Sequence, residues 1–468
     1  MTSAPTATAV PSAGKIAPRE GGRCPASADV NLEQVLEVFR RRLSRELDAY
    51  FQACVHCGLC ADSCHYFLAT GDPKMTPAYR FEQIRKIYRR HFDWLGKVAP
   101  RWVGAEDLTE KTLDELVETA FGTCTACGRC TMNCAVGINM GMVTRLVRSL
   151  LVEAGRVPAG LQATVDMTVR TGNQMGITQE EMVETVQWLE EELQAALGDP
   201  TARMPLDKAG ARVLYAINPR EAKYFPLALL AAGKIFHAVG EDWTLSSTTF
   251  DATNYGLFSG DDAAARAIAQ RLADEVARLR AGALVMTECG HGYRAMRWEA
   301  ENWLGRRFPF PVIHVLELFQ GCLREGRLRL DPMKNTKPVT LHDPCNMVRH
   351  GGVIEPQREL LRAAVMDFRE MAPNREQNFC CGGGGGMLAM TEYARRRVEA
   401  GRIKAEQIRA TGAKVVAAPC HNCIDQLMEL NKVYKLGVEI KTVGEILANA
   451  LVLPPADVRP PPISPSPS

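Results

Sequence analysis

The 468-residue sequence has no long apolar run. Its nearest approach, Phe225 to Phe236, is interrupted by Lys234 and falls short of the roughly twenty apolar residues a helix needs to cross a bilayer. Charge of one sign is missing too. The balance of 56 basic and 54 acidic residues leaves a formal charge of +2, which gives no electrostatic footprint for nucleic acid. A secretory signal is absent as well, because Met1 to Arg23, rich in Ala, Pro, Thr and Ser, contains no continuous apolar region. Cysteine, by contrast, is abundant. Sixteen cysteines in a chain without an export signal imply a reducing, cytoplasmic compartment and metal chemistry in preference to a disulfide scaffold. A role at a membrane would then require an anchoring partner. The 46% apolar and 24% charged content is ordinary for a soluble protein, and the length allows two or three domains.

Eight of the cysteines form two runs of one pattern, Cys-x2-Cys-x2-Cys-x3-Cys: Cys54, Cys57, Cys60, Cys64 and Cys124, Cys127, Cys130, Cys134. This is the bacterial ferredoxin spacing, in which one tight loop places three thiolates on a [4Fe-4S] cubane and the fourth cysteine reaches the neighbouring cluster. The expected sets are therefore Cys54, Cys57, Cys60 and Cys134 for one cubane, and Cys124, Cys127, Cys130 and Cys64 for the other. Tetrahedral zinc is the alternative, but it more often takes two separated Cys-x2-Cys pairs. The proline that usually follows the fourth cysteine is missing from both runs, replaced by His65 and Ala135. That argues against a small free ferredoxin module.

The pattern from about 31 to 160 is helical. Leu32, Val35, Leu36 and Phe39 recur at helical spacing, as do Phe81, Ile84, Ile87 and Tyr88, and Val143, Leu146, Val147, Leu150 and Leu151. Thr109 offers an N-cap to a helix through Leu113, Leu116 and Val117. Arg80, Arg85, Lys86, Arg89 and Arg90 read as the solvated outer face of one helix. An acidic helical connector is expected over 161–207. Beyond it, Val213 to Ile217, Leu284 to Thr287, Val339 to His342 and Val415 to Ala418 alternate with helical stretches, the signature of an open α/β sheet. This half repeats itself. Val213 to Pro219, Asn254 to Phe258, Leu284 to Gly292 and His314 to Leu318 align with Val339 to Cys345, Asn378 to Gly382, Val415 to Cys423 and Thr442 to Leu447. The expected fold is thus α plus α/β: a disordered tail (1–30), an all-α ferredoxin-like two-cluster domain (31–160), the connector (161–207), a degenerate α/β lobe (208–330), a second α/β lobe (331–452) and another disordered tail (453–468). Cys24 lies in the first tail and is not read as a ligand.

On this register the first lobe has Pro219, Gly256, Leu257 and Gly292 where the second has cysteines, and it keeps only Cys289. In the second, Cys345, Cys380, Cys381, Cys420 and Cys423 follow three strand ends, which meet at one edge of an α/β sheet. Adjacent Cys380 and Cys381 suit two irons held close together. Gly382 to Gly386 remove side-chain bulk and leave backbone N–H groups available to them. The pattern Cys345-x34-Cys380-Cys381-x38-Cys420-x2-Cys423 resembles the CCG domain of heterodisulfide reductases, whose last spacer is usually slightly shorter. The order of helical two-cluster domain and duplicated CCG region is similar to that of the D-type polypeptide of those reductases. The stretch His65-Tyr-Phe-Leu-Ala-Thr-Gly-Asp-Pro-Lys and the lone Glu288-Cys289-Gly-His291 resemble DsrK-type subunits of sulfur-metabolising membrane complexes.

This resemblance implies a noncubane [4Fe-4S] cluster on the five cysteines, at which a disulfide is cleaved or formed, alongside the two cubane [4Fe-4S] clusters. It implies peripheral attachment to the inner membrane through a quinone-reactive haem b membrane subunit, and a DsrC-like sulfur-carrier protein as substrate. Cys289 is read either as a buried relic or, with His291 and Glu288 as proton donors, as a contributor to catalysis. His342, Asp343 and His421 flank the ligand cysteines and are read as orienting groups. Three other readings stand beside this one: the iron–sulfur subunit of a glycolate, lactate or glycerol-3-phosphate oxidising complex, an electron-transfer scaffold without chemistry of its own, and a reductase for a small-molecule heterodisulfide.

Overall fold

The computed structural model describes residues 30–453. The two expected tails, with Cys24, lie outside the described residues except for Val30 and Leu453. The chain is mixed helix and sheet, and its parts divide by sequence.

Up to Glu153 the described chain contains helices and no strand. Ser44, Thr76, Thr109 and Asn139 each accept a hydrogen bond from an early helical N–H, so the helices Arg45–Ala53, Pro77–Phe92, Glu110–Val117 and Met140–Glu153 start at side-chain caps. Their apolar stripes meet in one core, where Phe51 stacks on Tyr88 and packs against Phe81. The cysteine loops hang from the ends of these helices. One basic stretch departs from its sequence reading: Arg80 and Arg85 are buried, whereas Lys86, Arg89 and Arg90 pair with Glu106, Glu82 and Asp107. The helix turns Arg80 and Arg85 inward on the same side as Phe81 and Ile84, toward the cysteine loops.

The remainder holds two four-stranded sheets, each wholly parallel. The first comprises β1 (Val213–Ala216), β2 (Trp243–Thr244), β3 (Ala283–Met286) and β4 (Val312–His314) in the order β2-β1-β3-β4. The second comprises β5 (Val339–Leu341), β6 (Phe368–Arg369), β7 (Val415–Ala417) and β8 (Glu439–Lys441) in the order β6-β5-β7-β8. Equivalent strands thus occupy equivalent places. Even the helix starts agree, with capping boxes at His314/Glu317 after β4 and Thr442/Glu445 after β8. β1, β3, β5 and β7 are buried throughout, as expected of parallel strands covered on both faces.

One apolar core runs through both sheets, and the helix Pro226–Ala238 packs against Val443–Ala450 of the other lobe. The segment read as a connector joins this core: Met182, Val186, Leu189 and Leu193 of the helix Gln179–Leu197 are buried with β1. Its acidic residues face outward, and its apolar stripe closes one side of the first sheet.

Candidate metal centres

The two N-terminal cysteine loops share one backbone. His56 and Gly58 in the first, and Ala126 and Gly128 in the second, adopt left-handed φ values of 54°, 81°, 52° and 77°. A non-glycine residue in this region is strained, so the repeat at equivalent positions marks loops shaped around something they hold. Cys54, Cys57, Cys60 and Cys134, together with Cys130, line one cavity. Cys64, Cys124, Cys127 and Cys130 line another. In the first, Cys57 is exposed. His65, in the usual place of proline, is on the wall of the second and hydrogen-bonds toward Cys127.

The third cysteine group is at the C-terminal ends of β5, β6 and β7. Cys345 opens the helix Cys345–Val348, Cys380 and Cys381 lie in the loop after β6, and Cys420 and Cys423 flank the first turn of the helix His421–Tyr434. All five are buried. Cys381 Sγ is 3.4 Å from Cys423 Sγ, and the Gly382 and Gly383 N–H groups donate to Cys380 Sγ and Cys381 Sγ at 3.3 and 3.4 Å. Hydrogen bonding by Cys380 and Cys423, helped by Gly383, holds the Cys381 thiol well below the ordinary range, favouring the thiolate that binds metal. The ligand atoms of His342, Cys381 and Cys423 lie within 4.8 Å of one another. Phe258 and His291 from the first lobe line a narrow cavity together with these three residues, Cys345 and Cys420.

This cavity adjoins the second cysteine loop. Thr125 Oγ1 is 3.5 Å from Cys380 Sγ, and Cys127 hydrogen-bonds with Cys380. Glycine makes the approach possible: a Cβ on Gly385, whose φ is +66°, would lie 2.5 Å from the Thr125 carbonyl oxygen. The glycine run therefore answers to the neighbouring loop as well as to the cysteines.

Several flanking residues have duties other than those read from sequence. Glu288 is turned away from the five cysteines; its carboxylate accepts from the N–H groups of Val443 and Gly444 at 2.8 and 2.7 Å, capping a helix of the second lobe. Asp343 accepts two hydrogen bonds from buried Arg358, at 2.9 and 2.7 Å, and one from the Arg375 N–H. It braces the loop. Cys289 is not on the cavity wall but behind His291, 3.4 Å from its Nδ1 and 3.9 Å from Asn218 Nδ2. Burial pushes His291 down to about 3 and His421 to about 4, so both imidazoles are neutral N–H donors near pH 7.

Four contributors escaped the sequence reading. Arg349 donates to the Cys127 carbonyl at 2.9 Å, Lys404 is buried on Asn378, Thr125 touches Cys380, and Glu221 lies 3.6 Å from His421. Only their closeness to the motifs, at Cys124 for Thr125 and Cys345 for Arg349, marked any of them.

The donor sets fit iron–sulfur centres. Cys54, Cys57, Cys60, Cys130 and Cys134 line the first N-terminal cavity, Cys64, Cys124, Cys127 and Cys130 the second, and Cys345, Cys381, Cys420 and Cys423 the third, with Cys380 next to Cys381 in the chain. Buried polar atoms without hydrogen-bond partners among the described residues crowd these walls: His65 Nε2, Tyr66 Oη and Arg80 Nε at one, His291 Nε2 and the two ring nitrogens of His342, one of them an N–H donor, at another. Bound sulfides are the acceptors such groups need. A family profile described as a 4Fe-4S dicluster domain matches residues 50–138, and one described as a cysteine-rich domain matches 339–428. The Hdr-like menaquinol oxidoreductase iron-sulfur subunit 2 of Archaeoglobus fulgidus is 29% identical over 91% of this chain and 83% of its own length. The D-type polypeptide of the dihydromethanophenazine:CoB--CoM heterodisulfide reductase of Methanosarcina acetivorans is 26% identical over 87% and 95%. The EtfAB:quinone oxidoreductase of Syntrophomonas wolfei is 23% identical over 85% of this chain but only 58% of its own. No helix among the described residues is long and apolar enough to cross a membrane. Matched cluster domains and this near full-length similarity make the chain an iron–sulfur protein like the D-type polypeptide of heterodisulfide reductases, similar to oxidoreductase subunits.

Proposed function

We propose that the chain is the cytoplasmic, catalytic iron–sulfur subunit of a membrane-bound, quinone-linked thiol:disulfide oxidoreductase of the DsrK type. Its partners are a haem b membrane subunit and a DsrC-like sulfur carrier. Cys54, Cys57, Cys60 and Cys134 hold one cubane, Cys124, Cys127, Cys130 and Cys64 the second, and Cys345, Cys380, Cys381, Cys420 and Cys423 a noncubane centre. When bound, the cubanes supply single electrons and the noncubane centre supplies an iron at which a sulfur–sulfur bond is cleaved or formed. The two lobes, read as a duplicated CCG region, divide the work: one provides ligands, the other a wall.

The observation that carries this reading is the contact of Cys380 with Thr125 and Cys127, which brings the five-cysteine group directly against the wall of the second N-terminal cavity. Cleaving a disulfide takes two electrons and two protons. Neutral His291 and His342 present N–H groups to a sulfur entering the cavity, and Phe258 excludes water from that side. The menaquinol and heterodisulfide named for the relatives support quinone linkage and sulfur chemistry.

A second reading draws on the EtfAB:quinone oxidoreductase relative: an electron relay from a flavoprotein. Turnover of a disulfide- or trisulfide-linked DsrC-like protein by the purified chain, with reduced viologen as donor, separates the two. Turnover is expected, together with a change in the electron paramagnetic resonance of the oxidised protein on adding thiol. Failure to turn over with a full iron complement, and no spectral response to thiol, would leave the relay.

A further inference from the structure

The two N-terminal cavities differ most in charge. Four guanidinium groups surround the one lined by Cys64, Cys124, Cys127 and Cys130. Arg80 Nη2 donates to Cys64 Sγ at 3.3 Å, while its Nη1 is fixed by the carbonyls of Met75 and Thr123 at 2.8 Å each. Arg148 donates to the Cys124 carbonyl at 2.8 Å and to Phe258 and Gly385 at 2.6 and 2.7 Å. Arg349 donates to the Cys127 carbonyl at 2.9 Å and to the carbonyls of Glu376 and Asn378. Arg129 lies over the Phe379 ring and donates to the carbonyls of Gln377 and Asp62. Arg80 and Arg148 are buried. Every hydrogen-bond acceptor just named is a carbonyl or a sulfur, and none is a carboxylate.

At the other cavity the balance is different. Arg85 donates to the Cys54 carbonyl at 3.0 Å, but Glu82 lies 3.6 Å from it and also pairs with Arg89 and His56. Arg80 faces Cys60 of this cavity too, yet its sulfur hydrogen bond goes to Cys64.

Cations buried without counter-charge are costly, and a centre bound by four thiolates carries the missing negative charge. Positive charge and N–H···S hydrogen bonds stabilise the more negative, reduced state and so raise the reduction potential. Water at exposed Cys57 also favours reduction there. A charge at an effective dielectric of about 20, however, acts about fourfold more strongly than in water.

We propose that Arg80, Arg129, Arg148 and Arg349 form a cationic cage that makes the centre held by Cys64, Cys124, Cys127 and Cys130 the higher-potential cubane, where an electron rests beside the five-cysteine site. The inference depends on the cluster assignment proposed above. In the step concerned, the centre at Cys54, Cys57, Cys60 and Cys134 loses one electron and the caged centre gains it. No proton moves, because the guanidiniums stay charged at neutral pH; burial brings Arg148 down only to about 10. Arg349 belongs to the second lobe, so docking of that lobe helps to set the potential of a cluster in the helical region.

The test is a dithionite titration of the anaerobically purified full chain, followed by electron paramagnetic resonance. Cys57→Ser tags the signal of the uncaged centre, which is expected to appear second. Arg349→Gln is expected to shift electron sharing between the cubanes about tenfold toward the uncaged centre, ~59 mV for a one-electron couple. Arg80→Gln should shift it at least as far, with Arg80→Lys restoring about half. Should either glutamine variant lose iron, Arg129→Gln at the rim gives the same shift in smaller measure. A Cys57→Ser tag on the first signal to appear, or iron-replete glutamine variants with unaltered sharing, overturns the cage. Absence of two cubane signals from the unaltered chain overturns the cluster assignment itself.

Discussion

At the strand ends of the first lobe stand Pro219, Gly256, Leu257 and Gly292; the same ends of the second carry Cys345, Cys380, Cys381 and Cys423. The sheet order is identical, so the difference belongs to the loops. In the first lobe the vacated space is filled: a Cβ on Gly256 would be 2.5 Å from the Ala265 nitrogen, and Glu221, where the second lobe has Met347, is tied to Thr287. Backbone and hydrogen-bonded polar groups take the place of the cysteines there. The first lobe keeps the strands without those cysteines and walls the other lobe's cavity through Phe258 and His291.

The sharpest way to break this contrast is to remove ligands from the second lobe. Cys381→Ser is expected to abolish disulfide turnover, by more than a hundredfold, while iron analysis still finds the two N-terminal centres. Next comes the loop contact. Gly385→Ala forces a left-handed alanine against Thr125 and is expected to cost about 2–4 kcal/mol, read as a lowered thermal midpoint, and to slow reoxidation of the cubanes by the sulfur substrate. Its first-lobe counterpart is weaker in function: Gly260→Ala, also left-handed and pressed on the Arg148 backbone, should lower the midpoint similarly but leave reoxidation intact once folded.

A pH effect separates the lobes further. Burial raises the Glu221 carboxyl to about 7, above its ordinary 4.5, so the folded state holds a proton that the unfolded chain releases. Its contribution is greatest below about pH 4.5 and is lost as pH rises toward 7, by on the order of 3 kcal/mol. Glu221→Gln should flatten that decline in a pH series of thermal midpoints. The smallest effect expected is that of Cys289→Ala. Placed behind His291, it should retain all iron and lose less than about threefold in turnover, checked by iron assay and steady-state rates.

Much of this was legible before the coordinates. Val213, Leu284, Val339 and Val415 begin runs too apolar for any place but a covered parallel strand, and the Cys-x2-Cys steps announce their loops through spacing alone. Long side chains were harder to read. Arg80 and Lys86 look alike in a helical pattern, yet one is buried on a sulfur and the other meets Glu106, because direction around a helix matters less than what the next loop offers. Asp343 beside Cys345 reads as an orienting group, but its partner Arg358 is fifteen residues on, at no spacing that sequence periodicity links to it. Glu288 misled in the same way, since its acceptor role depends on a helix 155 residues away.

That carboxylate has a mechanical consequence. Glu288 leaves the end of β3 in one lobe and closes the start of Val443–Ala450 in the other, buried on both sides. Swinging the lobes apart would break both of these buried hydrogen bonds, at about 0.5–1.5 kcal/mol each. The two lobes are thereby pinned to each other beside the cavity they share, and on the proposed function a sulfur-bearing segment would have to enter without prising them apart.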